Sequence, residues 1–72
     1  RRLQADCLAI ALQHLTEEQR QVILLRFMED YRNGQVARIL AKSEGAIKAL
    51  QYRALRSLRR ALEKEHCYET QS

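Results

Sequence analysis

Apolar side chains recur every three or four residues along most of the chain, and this period predicts four α-helices. We expect them at about residues 3–14, 16–29, 33–40 and 44–65. The chain has no proline and two glycines, and no segment shows the alternation of apolar and polar residues that marks a half-buried strand. The pattern therefore indicates an all-α, four-helix domain with short connections.

Polar residues stand at the predicted helix starts. Thr16 and Gln19 have the spacing of a capping box, in which each side chain accepts a hydrogen bond from the other residue's backbone N–H group. Asn33 and Ser43 are favourable N-cap residues for the third and fourth helices. These residues fix the beginnings of three helices more sharply than the apolar spacing does.

The apolar faces of the helices predict the core. The second helix is apolar around nearly its whole circumference, so that Gln21 and Arg26 are the positions expected to face water. On the third helix we expect Val36, Ile39 and Leu40 to point inward. The inward stripe of the fourth helix comprises Ile47, Leu50, Ala54, Leu58, Ala61 and Leu62.

A segment near the middle of the chain has the residues that a helix-turn-helix requires. Ala37 is small and Ile47, ten residues later, is bulky, which suits two short helices that cross steeply. Residues 41–43 form a tight break between them. We therefore predict a helix-turn-helix over about residues 33–53, a motif that places its second helix in the major groove of DNA.

Charge is distributed unevenly along the chain. The first 36 residues carry five basic and five acidic side chains, so the formal net charge of +4 lies entirely in residues 37–72. On the fourth helix, Arg53, Arg56, Arg60 and Lys64 recur with helical spacing. Such a row is equally typical of a solvated helix surface. Because it follows a predicted helix-turn-helix here, we interpret it as a surface for nucleic-acid phosphates.

The length of 72 residues suits one domain, which we take as residues 1–72 with a C-terminal tail at 66–72. No apolar run approaches the roughly 20 residues that a membrane-spanning helix needs. We therefore expect no membrane association and a cytoplasmic location. The chain does not begin with methionine, which suggests a piece of a longer protein.

The cysteines and histidines do not have the spacing of metal ligands. His66 and Cys67 are adjacent, and Cys7 and His14 lie seven residues apart on the first helix. We therefore expect neither metal nor cofactor, and we interpret Cys7 as a small core residue. No catalytic Ser/His/Asp set, phosphate-binding glycine loop or pair of carboxylates in a pocket can be assembled, so we do not expect an enzyme.

Two segments carry a resemblance to a known family. They are LTEEQRQVILLRF, from Leu15 to Phe27, and KSEGAIKALQYRAL, from Lys42 to Leu55. The stretch that contains them, which ends at Leu62, resembles region 4 of the sigma-70 factors, especially the extracytoplasmic-function group. The resemblance implies recognition of the promoter minus-35 element and docking on the flap of the RNA polymerase β subunit.

The chain departs from the family pattern near the helix-turn-helix. Asp30, Asn33, Gly34 and Ala46 stand where the family usually has glycine, tyrosine, glutamate and threonine. These departures affect which DNA bases the domain recognises more than they affect its fold.

The resemblance assigns DNA contacts to the start of the fourth helix and to its basic row. Lys48 and Arg53 suit guanine acceptors or phosphates, and Ala49 suits a thymine methyl group. Tyr52 offers an apolar edge and a hydroxyl, or is a half-buried helix aromatic; Glu44 accepts from a cytosine amine, or favours the helix dipole. The predicted DNA-binding residues are Asn33, Lys42, Ser43, Glu44, Gly45, Lys48, Ala49, Tyr52, Arg53, Arg56 and Arg60.

The apolar second helix raises the possibility of a partner surface. We expect Val22, Leu25 and Leu58 to receive the polymerase flap or an anti-sigma factor, although core packing accounts for the same residues. The isolated domain is expected to be a monomer. The alternative is the DNA-binding domain of a dimeric response regulator, and the long arginine-rich last helix favours the sigma-like interpretation.

Overall fold

The computed structural model describes residues 5–64. Within this range lie α1 (Ala5–Gln13), α2 (Glu17–Ile23), a π-helical turn (Leu24–Met28), α3 (Asn33–Leu40) and α4 (Glu44–Lys64). The described residues contain no strand, and the predicted all-α, four-helix fold is confirmed. The predicted outer ends at Leu3 and Glu65 and the tail at 66–72 lie outside the described residues.

Two of the three predicted helix caps are confirmed. The Gln19 backbone N–H donates to Thr16 Oγ1 and the Thr16 N–H donates to Gln19 Oε1, both at 3.1 Å. At the start of α4, Ser43 Oγ accepts from the Ala46 N–H at 3.1 Å. The prediction of Asn33 as the cap of α3 is wrong, because Asn33 is already the first helical residue.

Arg32 precedes α3 as its N-cap, and its backbone N–H donates to Gln35 Oε1 at 2.8 Å. Gln35, in the first turn of α3, therefore supplies the side-chain acceptor that stabilises the start of this helix. Gln35 is the third helical residue, which is the position that supplies the returning side chain in a capping box.

The second predicted helix does not continue as an α-helix to Glu29. After Ile23 its backbone widens into the π-helical turn, in which the Glu29 N–H donates to Leu24 O at 2.9 Å. The next residue, Asp30, has a φ of 63°. A left-handed backbone favours glycine but is also reached by aspartate, which explains how Asp30 stands where the family usually has glycine.

Contrary to the prediction, Arg26 does not face water. Its guanidinium donates from Nη1 to Tyr31 O at 2.7 Å and from Nε to Gln51 Oε1 at 3.4 Å, and the side chain is part-buried. Gln21 is half-buried as well. Arg26 thus ties the π-helical turn both to the following loop and to α4, a role that residue spacing alone does not reveal.

The core consists of three clusters, and α4 contributes to all of them. Near its start, Ile47 and Leu50 pack with Val22, Val36 and Ala37. The middle cluster comprises Leu15, Ile23 and Ala54, with Leu12 and Leu58 against it. The last comprises Ala11, Ala61 and Leu62, with Cys7, Leu8 and Leu58 against it.

Ala37 and Ile47 share the first cluster, as the helix-turn-helix prediction requires, and Ile47 is fully buried. The prediction for Ile39 is wrong, since 52% of this residue is exposed. The inward face of α3 is formed by Val36, Ala37 and the half-buried Leu40. Ile39 therefore lies on the flank of α3, outside the cluster in which Val36 and Ala37 pack against Val22, Ile47 and Leu50.

The turn between α3 and α4 has a defined hydrogen-bond pattern. Ala41 has a φ of 57°, its N–H approaches Arg38 O at 3.4 Å, and the Lys42 N–H donates to Ala37 O at 2.8 Å. These two bonds are those of a Schellman motif, in which a left-handed residue ends a helix. The motif fixes the backbone of Lys42 and the direction in which α4 begins.

Candidate nucleic-acid interface

The first half of α4 presents a continuous exposed face on the side away from the core. Ile47, Leu50 and Ala54 point into the protein and Gln51 is half-buried, whereas the other residues between Ile47 and Ala54 are exposed. We call the exposed set the basic face; it comprises Lys48, Ala49, Tyr52, Arg53 and Arg56. Five predicted DNA contacts are thereby brought together on one side of one helix.

Tyr52 is an exposed aromatic on this face and is not half-buried, because 63% of the residue is accessible. The Arg56 guanidinium carbon lies 5.7 Å from the centre of the Tyr52 ring, within the range of a cation–π contact. The ring therefore positions the Arg56 guanidinium on the same face.

The start of α4 is open to an anion. Ser43, Glu44 and Gly45 are exposed, and a methyl group added at Gly45 would meet no other atom within 4 Å. Ser43 caps the Ala46 N–H, while the first N–H groups of a helix lack partners within the helix. A phosphate can approach this end closely.

The Glu44 carboxylate turns back toward α3. A methyl group at Gly34 would lie 3.3 Å from Glu44 Oε2, so the absence of a side chain at Gly34 leaves room for it. Gly34 belongs to the first turn of α3, where the helix dipole favours a negative charge. The Glu44 carboxylate thus lies in the first turn of α4 and beside the first turn of α3, and both helix starts favour its charge.

Lys42 is engaged in an ion pair. Its Nζ lies 2.8 Å from Glu18 Oε2, and the two side chains are 33% and 58% exposed. Glu18 belongs to the first turn of α2, so this pair links that turn to the break before α4. Residue spacing does not indicate this pairing, because the two residues are far apart in the chain.

Asn33 lies apart from the basic face. It is half-buried, and its Oδ1 is buried without a hydrogen-bond partner.

The basic face continues into a groove beside the first turn of α2. Gln19, Arg53, Arg56, Ser57 and Arg60 line a cavity of about 310 Å³. A second cavity of about 200 Å³ adjoins it at Ser57 and Arg60 and extends to His14 and Lys64. Arg53, Arg56 and Arg60 are among the predicted DNA contacts. Gln19 and Ser57, which reach the groove from α2 and from the half-buried side of α4, are not.

The predicted partner surface is corrected. Val22 is fully buried in the first cluster and cannot touch a partner. Leu25 packs against that cluster, whereas Leu58 lies between the other two, so the three residues do not form one surface. Core packing, the alternative explanation for these three residues, accounts for their apolar character.

A different apolar surface lies between the π-helical turn and α3. We call it the apolar flank; Gln21, Leu24, Leu25, Ile39 and Leu40 line its cavity of about 270 Å³. Ile39 is 52% exposed there, and on the π-helical turn Phe27 and Met28 are 50% and 65% exposed. Exposed apolar groups of this kind are typical of a partner surface.

Residues 5–64 contain no group of three His, Cys, Asp or Glu side chains that could hold a metal ion. None of the helices in this range is long and apolar enough to cross a membrane. His66 and Cys67 lie outside the described residues.

The family model of sigma-70 region 4 matches residues 11–60. The chain is 44% identical over 52 residues to the ECF RNA polymerase sigma factor BldN of Streptomyces coelicolor, covering 72% of this chain and 20% of that protein. It is 42% identical over 53 residues to the ECF sigma factor SigX of Bacillus subtilis, covering 74% of this chain and 27% of that protein.

A solved structure of an RsbN–BldN complex matches the fold with a TM-score of 0.73 and 42% identity. The match covers 76% of this chain and 40% of the chain in that structure. The chain therefore spans a minor part of its relatives' length. It belongs to the region 4 family of sigma-70 factors, within the extracytoplasmic-function group.

Proposed function

We propose that this chain is the domain of a sigma factor that binds the promoter minus-35 element as double-stranded DNA. The observation that carries the proposal is the basic face, which sets five exposed side chains along the first half of the helix-turn-helix's second helix. In helix-turn-helix proteins, this part of the second helix reads base edges in the major groove.

Within the basic face, different side chains take different tasks. Lys48 and Arg53 donate to guanine O6 and N7 or to phosphates, and Ala49 contacts a thymine methyl group. Tyr52 adds an apolar edge and a hydroxyl. The open start of α4 at Ser43 and Gly45 receives a phosphate.

The groove beside α2 binds the DNA backbone. Arg56 and Arg60 release counterions from phosphates and supply attraction that does not depend on sequence. Gln19 and Ser57 add neutral hydrogen-bonding groups in the same cavity. Phosphate contacts from this groove position the domain, while Lys48 and Arg53 specify the bases.

The apolar flank receives a protein partner. The proposed partners are the flap of the RNA polymerase β subunit and an anti-sigma factor. A solved structure of BldN, a relative of this chain, is a complex with RsbN, which supports the proposal that this chain also has a protein partner. A helix with an apolar side chain that enters the cavity between Leu25 and Ile39 fits the flank.

We further propose that residues 1–72 act as one non-enzymatic, monomeric domain in the bacterial cytoplasm, where RNA polymerase and promoters are found. The isolated domain should bind DNA weakly, because one motif with few base-reading groups lacks the second half-site contact of a dimeric repressor. Docking on polymerase then supplies the remaining affinity.

Fluorescence titration of the chain with a cognate minus-35 duplex and a scrambled duplex tests the proposal. We expect micromolar or weaker binding, a steep loss of affinity with salt, and a preference for the cognate duplex. Sedimentation should show a monomer. A stable dimer with nanomolar binding to a palindrome would instead support the response-regulator alternative.

A further inference from the structure

The first turn of α2 lies directly beside the DNA-binding elements. Gln19 shares the groove with Arg53, Arg56 and Arg60 on α4. Its neighbour Glu18 contacts Lys42 in the break before α4. The turn therefore brings the Glu18 carboxylate close to Lys42, one of the predicted DNA-binding residues, and Gln19 close to the arginines of the groove.

We propose that Glu18 restrains the affinity of the domain for DNA by holding the Lys42 ammonium group away from the phosphate backbone. The proposal rests on the proposed DNA-binding function and adds to it a residue that sets affinity without touching DNA. Lys42 is one of the predicted DNA-binding residues, and its Nζ already has a carboxylate partner at 2.8 Å.

The backbone geometry limits how Lys42 can respond. Its N–H donates to Ala37 O at 2.8 Å within the Schellman motif, so the main chain at this position is fixed. The ammonium group can move only by rotation of the side chain. The ammonium group has three N–H donors, but a phosphate that draws Nζ away from Glu18 weakens the ion pair, and this loss opposes the gain from the phosphate contact.

The exposure of the pair decides the size of the effect. Both side chains are more than a quarter exposed, at 33% and 58%, and ion pairs at such positions are weak. Duplex DNA can therefore displace Glu18, at a cost in affinity of a few-fold. Glu18 acts as a modulator of binding and does not block it.

Glu17 provides a matched control. Glu17 and Glu18 are adjacent, both are exposed, and both belong to the first turn of α2, where each carboxylate favours the helix dipole. The ion pair with Lys42 is formed by Glu18. Glu17→Gln and Glu18→Gln therefore make the same change in net charge and a similar change at the helix start, and differ at Lys42.

The experiment is a fluorescence titration of the full chain and both variants with cognate and scrambled duplexes at several salt concentrations. We expect Glu18→Gln to bind about two- to five-fold more tightly than Glu17→Gln on both duplexes. The slope of log affinity against log salt should steepen for Glu18→Gln by up to about 0.9, the value for one additional phosphate contact.

The same comparison in a Lys42→Gln background completes the test. There the difference between Glu17→Gln and Glu18→Gln should disappear, because no ammonium group is left to release. Equal affinities of the two single variants with Lys42 present would overturn the proposal, as would a difference that persists in the Lys42→Gln background.

The outcomes separate this inference from the proposed function. Loss of all preference for the cognate duplex would reject minus-35 recognition, while a Lys42-dependent difference between the two variants would still support restraint by Glu18. Absence of binding by wild type and every variant would reject both.

Discussion

The basic face and the apolar flank are both exposed, but they are built differently. The basic face is one side of a regular helix, so its five members follow from helical spacing along α4. The apolar flank joins the π-helical turn to α3, and its main side chains come from two separate elements. The first surface is local in sequence and the second depends on tertiary packing.

This difference explains where the predictions succeeded. Charged side chains three or four positions apart lie side by side on any α-helix, whatever its tertiary contacts. The position of Leu25 relative to Ile39 depends on how the backbone widens after Ile23 and reverses at Asp30. The apolar pattern therefore predicts a partner contact for Val22, which lies in the core, and none for Ile39, which lies on the surface.

The largest effect is expected from Ala37→Leu, which should disturb both surfaces. Ala37 is 8% exposed within the cluster that joins α3 to α4, and a larger side chain overpacks this crossing by about 1–3 kcal/mol. Thermal unfolding should show a lower midpoint. Ala49→Leu, on the exposed side of α4, is the control and should change stability by less than about 0.5 kcal/mol.

Arg53→Ala should affect the basic face alone. We expect a loss of about 1–3 kcal/mol in binding a cognate minus-35 duplex, with little change in thermal stability. Lys48→Ala should behave similarly. Arg59→Ala is the matched control, because Arg59 lies on the same helix but is paired with Glu63 at 3.5 Å. Similar losses for Arg53→Ala and Arg59→Ala would contradict the assignment of base contacts.

Ile39→Gln should affect the apolar flank alone. We expect about tenfold weaker binding of a polymerase flap peptide, since removal of an exposed apolar anchor commonly costs more than about 1 kcal/mol. DNA binding should be unchanged. Arg38→Gln, at the adjacent exposed position of α3, controls for the surface change. Unaltered peptide binding by Ile39→Gln would exclude the flank as the docking surface.

The smallest effect is expected from Ala41→Gly, in the turn that connects the two surfaces. Glycine relieves the strain of a left-handed backbone at a φ of 57°, and the larger entropy of the unfolded glycine chain offsets part of that gain. We expect a net stabilisation of about 0.5 kcal/mol, seen as a rise of a few degrees in the unfolding midpoint. Ala49→Gly, inside α4, should destabilise the domain by up to about 1 kcal/mol.

Features that depend on neighbours within one turn of helix could be predicted from the amino-acid sequence. These include the capping box of Thr16 and Gln19, the Ser43 cap, and the outward direction of Lys48 and Arg53. Each follows from contacts between residues three or four positions apart, whose geometry any α-helix fixes.

The pairings between elements, in contrast, are a result of tertiary packing. Arg26, in the π-helical turn, binds Tyr31 O and Gln51, although helical spacing alone predicts that it faces water. Glu18 meets Lys42, and Ile39 is left on the surface because three other α3 residues face the core. Such outcomes depend on the directions in which α2, the π-helical turn and α3 approach α4. Helix period and charge do not encode those directions, because a side chain's long-range partners are set by the packing of the whole core.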